Sequence, residues 1–317
     1  MLELMFATFL ASLPVFGLIG AGALAARARV LTLDGGGILN RYVTWLALPA
    51  LLFKTVADAK WEQLWQPAFI ASFCLSGLIT LAVAMMVVRL RSRRSFAQSA
   101  IDSLNASYPN VGFMGFPLAA ALLSPAALVP TTIAAILTMC VFFALTIVLV
   151  ELGLNTGAGM LGVSMKVMKG VLRHPLIVAP ACGVPFALTG QAIPSPIATL
   201  ASLLAASAAP CALAAIGIFM LQPRSGTGRG ENAGAAGLIG GKLLLQPLLA
   251  WIFAQYVFDL GRESVQIAVL MAALPTGTGA FMLAGHYQLD VALPARVIAG
   301  STLASIATIS VIFALLQ

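Results

Sequence analysis

Apolar segments of membrane-crossing length follow one another along almost the whole chain, and the connections between them hold most of the charge. This alternation constrains the fold more than any motif does. A helix needs about 20 mostly apolar residues to cross a bilayer. Such segments fall at 5–26, 37–57, 67–89, 97–123, 128–150, 172–189, 196–221, 236–258, 263–285 and 292–315, here numbered spans 1–10. The 317 residues are 61% hydrophobic and only 9% charged, whereas a soluble domain carries about 25% charged residues. Lipid must be the second solvent, and ten spans leave no length for a separate soluble domain. The expected class is an all-α transmembrane protein.

The net charge of +7 does not point to nucleic acid, because the basic residues sit in short loops between apolar runs. With the N-terminus outside, alternate loops place Arg27, Arg29, Arg41, Arg89, Arg91, Arg93, Arg94, Lys166, Lys169, Arg173, Arg224, Arg229, Lys242 and Arg296 inside. Only Lys54, Lys60 and Arg262 remain outside. Fourteen of seventeen basic residues on one side is the bias that orients membrane proteins, and one missed span would scramble it. Both termini are expected to be extracytoplasmic, in a cell inner membrane. The start, Met-Leu-Glu-Leu-Met, lacks the basic n-region of a secretory signal, so span 1 is read as retained. Cys74, Cys140, Cys182 and Cys211 lie in apolar runs without CxxC spacing and read as packing residues.

The chain also repeats itself. Pro14 in span 1 and Pro180 in span 6 are 166 residues apart, as are Pro109 in span 4 and Pro275 in span 9. Leu48-Pro49 in span 2 corresponds to Ala209-Pro210 in span 7 with a small slip. A five-span unit has an odd number of crossings, so the second copy is inverted. The expected division is 1–155 and 156–317. Inverted repeats of this kind are typical of secondary transporters.

Span 4 reads Asp-Ser-Leu-Asn-Ala-Ser-Tyr-Pro-Asn-Val-Gly-Phe-Met-Gly-Phe-Pro from Asp102 to Pro117. Pro109 removes a backbone donor and Gly112 loosens the chain after it, which predicts an unwound stretch at 109–112. Leu-Pro-Thr-Gly-Thr-Gly, 274–279, predicts the matching break in span 9. Broken backbone at membrane depth must be buried or line a wet cavity, and paired breaks in inverted halves point to a transport site. The half-helix starting after each break presents free N–H groups and partial positive charge to an anion, while freed carbonyls can hold a cation. Asn105, Tyr108, Pro109, Asn110, Gly112, Gln246, Pro275, Thr276 and Thr278 are the candidate binding residues. Asp102, an acid inside a span, is the candidate for coupling to Na+ or H+; the alternative is a pairing with Arg94 or Arg91. Lys242, one turn into span 8, either attracts an anionic substrate from the cytoplasm or snorkels to the interface, the favoured reading, and Arg296 is expected to anchor at the interface. His174 and His286 have no partners at ligand spacing and read as interfacial, and Trp61, Trp65 and Tyr287 as aromatic belts. Gly17 to Gly22 reads as close helix packing. The Gly226–Gly230 run follows a helix, not a strand, so it is no nucleotide fingerprint. No metal, other cofactor or enzymatic constellation is indicated.

The stretches 105–118, 242–249 and 273–287 resemble the span 4, span 8 and span 9 signatures of the auxin efflux carrier family, with similarity over nearly the whole chain. The resemblance implies an inverted five-plus-five fold related to the bile acid–sodium symporters, with broken helices 4 and 9 crossing at the substrate. It implies a scaffold of spans 1, 2, 6 and 7 and a transport unit of spans 3–5 and 8–10 moving elevator-fashion. Its bacterial members are regarded as carriers of organic acids such as malonate or malate, and its plant members export auxin. Span 9 here carries threonines where many relatives have an asparagine after the proline-containing stretch. The expected partners are a small organic anion, the bilayer and a second copy of the chain. A passive anion channel, a membrane enzyme and a non-transporting subunit are the alternatives.

Overall fold

The computed structural model describes residues 2–32, 34–59, 64–92, 94–123, 127–155, 173, 175–221 and 229–316. Lys60, Trp61, Arg93, Lys166, Lys169, His174, Arg224, Gly226 and Gly228 of the sequence reading lie outside them.

Among the described residues the chain is helical, with one isolated antiparallel bridge. Helix α1 is Leu2–Arg27. Helix α2, Gly35–Tyr42, runs through a π-helical turn, Val43–Ala47, into α3, Leu48–Ala57. Helix α4 is Pro67–Arg91. Span 4 is divided into α5, Phe96–Leu104, and, after the break, a π turn at Val111–Gly115 leading to α6, Phe116–Leu122. Helices α7, Leu128–Ile136, and α8, Phe143–Leu154, form one rod through the π turn Leu137–Phe142. Then come α9, Pro175–Thr189, and α10, Ser195–Met220. Helix α11, Arg229–Gly240, continues through the π turn Gly241–Leu245 into α12, Gln246–Ile252, and a further π turn, Phe253–Val257. Span 9 is divided into α13, Arg262–Ala273, and α14, Gly279–His286. Helix α15 is Ala292–Leu315.

Among the described residues, five rods are long and apolar enough to cross a membrane as single helices: Pro67–Arg91, Leu128–Leu154, Ser195–Ile218, Asn232–Val257 and Ala292–Ile312. The divided spans fail that length test because their breaks cut them into pieces of 7 to 12 residues. Leu24, Leu90, Leu203 and Leu303 are more than half exposed, which is what a lipid-facing perimeter requires, since lipid tails solvate leucine as well as a core does.

Prolines shape several rods without ending them. The turns at Val43–Ala47, Val111–Gly115 and Gly241–Leu245 each precede an X-Pro step, at Pro49, Pro117 and Pro247. Proline has no N–H and crowds the carbonyl four residues back; widening the preceding turn to π spacing relieves the crowding and lets the helix continue.

Two groups of helices result. In one, α1 lies on α10, and α3 lies on α9 and α10. Small residues bring these backbones together: a Cβ on Gly22 would meet the Ala214 carbonyl, one on Gly217 the Ile19 carbonyl, and one on Gly183 the Phe53 carbonyl. The glycine contact expected in span 1 is thus made by Gly22. In the other group, α4 packs on α5 and α12, α5 on α8, and α12 on α13.

Candidate functional site

The two breaks meet. The Asn110 N–H donates to the Pro275 carbonyl and the Gly277 N–H to the Tyr108 carbonyl, both at 2.8 Å, across an antiparallel bridge between Pro109 and Thr276. Two peptide units that cannot join their own helices therefore satisfy each other, which is what buried backbone requires. Gly277 and Gly279 lie against the Tyr108 ring; a Cβ on Gly279 would come within 2.6 Å of it. The ring packs edge-on to Phe143 at 5.7 Å.

The structure brings together Asn105, Tyr108, Pro109, Asn110, Pro275, Thr276 and Gln246, and divides the candidates by what their polar groups do. Asn105, Thr276 and Gln246 are completely buried and their donors are spent on backbone. Asn105 Nδ2 donates to the Ile101 and Asp102 carbonyls. Thr276 Oγ1 donates to the Asn105 carbonyl at 2.7 Å, and its N–H donates to Ser301 Oγ. Gln246 Nε2 donates to the Ser107 carbonyl. These three candidate binding residues direct their side-chain donors to the backbone of the crossing rather than to open space. Tyr108, Asn110 and Thr278 keep 4–5% of their surface open, and their side-chain polar groups have no hydrogen-bond partner among the described residues. The N–H groups of Gly112, Gly279 and Ala280, at the starts of the second half-helices, have no acceptor among the described residues, as the first turn of any helix leaves them. Unspent donors and helix starts converge here, a combination suited to a carboxylate.

Asp102 is also completely buried. Its carboxylate accepts from Arg94 at 3.2 Å and from Gln98 Nε2 at 2.9 Å. Arg94 also reaches Asp290 at 3.0 Å, and Gln98 exchanges hydrogen bonds with the Asp290 backbone. The alternative pairing with arginine is the one the structure makes. Lys242 does not snorkel. It is completely buried within the π turn Gly241–Leu245 and donates to the Ala272 carbonyl at 2.5 Å, at the end of α13. Arg296 stays near the surface, 3.4 Å from Asn232, and His286 packs tilted against Trp45 and edge-on to Tyr287.

Sequence reasoning missed Ser301, Gln98 and Asp290. Ser301 had a signal: Ser301, Thr302 and Ser305 form a buried polar stripe in span 10. Asp290 had none, because only packing brings the loop before α15 to the start of α5. A cavity of about 420 Å³ opens beside α14, lined by Asn40, Arg41, Phe281, Gly285 and Gln288. It lies where the two helix groups meet, and Asn40 Nδ2 points to the Met282 carbonyl there.

Residues 7–313 match the family model described as "Membrane transport protein". The chain is 29% identical over 299 residues to a Rhizobium meliloti protein named "Putative malonate transporter", covering 94% of this chain and 92% of that one. It is 26% identical to an "Uncharacterized transporter" of Methanothermobacter thermautotrophicus, covering 94% of each. It is 23% identical to "Uncharacterized transporter YfdV" of Escherichia coli K12, covering 87% of each. With its multi-pass apolar helices and a match that spans nearly every residue, the chain belongs to the membrane transport protein family, the auxin efflux carrier group whose span 4 and span 9 motifs it carries.

Proposed function

We propose that this protein is a secondary carrier of small organic anions, with malonate-like dicarboxylates as the first candidates, and that the anion sits at the crossing. The observation that carries this reading is the convergence of unspent donors there: the Gly112, Gly279 and Ala280 N–H groups with the Asn110 and Thr278 side chains. A carboxylate supplies the acceptors these groups lack, and two helix dipoles favour its charge.

The same reading takes the chain as ten spans in two inverted halves, 1–155 and 156–317. The packing supports it: α1 on α10 and α3 on α9 are the pairs that exchange when spans 1 and 2 are mapped onto 6 and 7. That group is the scaffold, and the crossing travels with the second group in an elevator step. Asp102, about two turns before Pro109 and already paired with Arg94, is the proposed group for coupling to H+. The bacterial inner membrane, extracytoplasmic termini and a homodimer complete the picture.

Thermal denaturation of the purified protein against a panel of carboxylates tests it. A bound ligand at a hundred times its Kd stabilises by about 2.7 kcal/mol. Malonate or malate is expected to raise Tm by several degrees in the parent and not in Asn110→Ala. A panel in which no carboxylate moves Tm would count against the reading.

A further inference from the structure

A lysine ammonium in the middle of a membrane protein is costly unless something pays back its lost hydration. Lys242 is completely buried and belongs to none of the ion pairs among the described residues. Its partner is a carbonyl, that of Ala272, next to last in α13. The last carbonyls of a helix lack intrahelical donors and carry partial negative charge. Here they cannot be closed by the following chain, because Leu274 is extended and Pro275 has no N–H. The α13 end therefore presents buried negative dipole at membrane depth, directly before the crossing.

The corresponding end of the other half is closed differently. At α5 the Ile101 and Asp102 carbonyls take the Asn105 amide, and the Asn105 carbonyl takes the Thr276 hydroxyl. Amide and hydroxyl donors close one half-helix and the Lys242 amino group closes the other. Half-helix carbonyl ends in carriers of this architecture are where coupling metal cations are held. The second place fitted for a cation, the Asp102 carboxylate, already has the Arg94 guanidinium on it.

We propose that the Lys242 ammonium fills the position a coupling metal cation would take at the end of α13, so that anion transport needs no sodium or other metal cation. The inference rests on the reading of the crossing as the transport site. The tethered cation also adds positive charge beside the anion, and Gln246, one turn along the same helix face, fixes the helix to the other break through Ser107.

The test uses the whole protein in liposomes, with labelled malonate as the probe and sodium replaced by choline on both sides. Flux unchanged within about twofold is expected. A tenfold fall, about 1.4 kcal/mol, or a saturable sodium-specific rise in the Tm of the parent protein overturns the inference. Lys242→Met, similar in length and uncharged, is expected to lose at least tenfold in flux; transport at the parent rate would overturn the inference equally. Restoration of flux in Lys242→Ala by added methylammonium, but not by tetramethylammonium, supports it. Failure of malonate to bind or move at all, with sodium present, would instead remove the underlying reading of the crossing, so the two failures are separable.

Discussion

Arg94 serves two acids in unequal surroundings. Asp102 has a side-chain exposure of 0% and Asp290 of 42%. An exposed pair contributes about 0–1 kcal/mol, whereas removing one partner of a buried pair costs roughly 3–5 kcal/mol because a charge is left uncompensated. Arg94→Ala is therefore expected to lower Tm far more than Asp290→Ala. Arg94→Ala combined with Asp102→Asn, which no longer buries a charge, is expected to recover part of the loss, and a differential scanning series on the four proteins reads this directly. At the crossing, Gly279→Ala would press a methyl group into the Tyr108 ring. Overpacking of this kind costs about 1–3 kcal/mol. Fluorescence-detected thermal stability should show that loss, and no comparable loss in Gly20→Ala, where a Cβ meets nothing within 4 Å. Which polar residues are struts and which keep unpartnered side chains was not legible from residue type. Thr276 and Thr278 are two positions apart in the same motif, yet one is spent on the Asn105 carbonyl and the other is not. The backbone bridge decides which way each points, and it depends on a partner 167 residues away.

Among elements, the breaks in spans 4 and 9 were readable because proline and glycine act locally, through a missing N–H and a missing Cβ. The π turns were not, although Pro49 and Pro247 were in plain view, since a proline can be met by a kink, a break or a widened turn, and the neighbouring helices choose among them. In span 8 Lys242, expected at the interface, sits in the widened turn at Gly241–Leu245 and meets the α13 terminus. Restoring a regular helix should undo this. Pro247→Ala is expected to leave expression and folding intact while lowering malonate flux by about tenfold, as the ammonium turns away from Ala272. A variant transporting at the parent rate would show that the π turn has no part in holding the lysine.

For the whole molecule, the apolar runs and the charge bias of the loops marked where each helix would begin and end, because bilayer thickness and orientation are properties of segments. The assembly of those helices into two groups was not written there except through family resemblance; it depends on backbone contacts such as Gly22 on Ala214 and Gly183 on Phe53, which single residues do not announce. If the groups slide past one another during transport, tying them together must stop it. Asn40 and Gly285 touch across the boundary. In a background with the four native cysteines replaced, Asn40→Cys with Gly285→Cys is expected to lose flux on oxidation and regain it with reductant. Full activity while cross-linked would exclude relative movement at that boundary. The central claim, that crossed breaks receive an anion on half-helix N–H groups, is tested most directly by an experimental structure determined with malonate. A carboxylate within about 3.0 Å of the Gly112 and Gly279 N–H groups, with Asn110 and Thr278 turned toward it, is the predicted result. Malonate seated elsewhere, for instance beside Arg41 in the cavity at α14, with the crossing empty, would contradict the account.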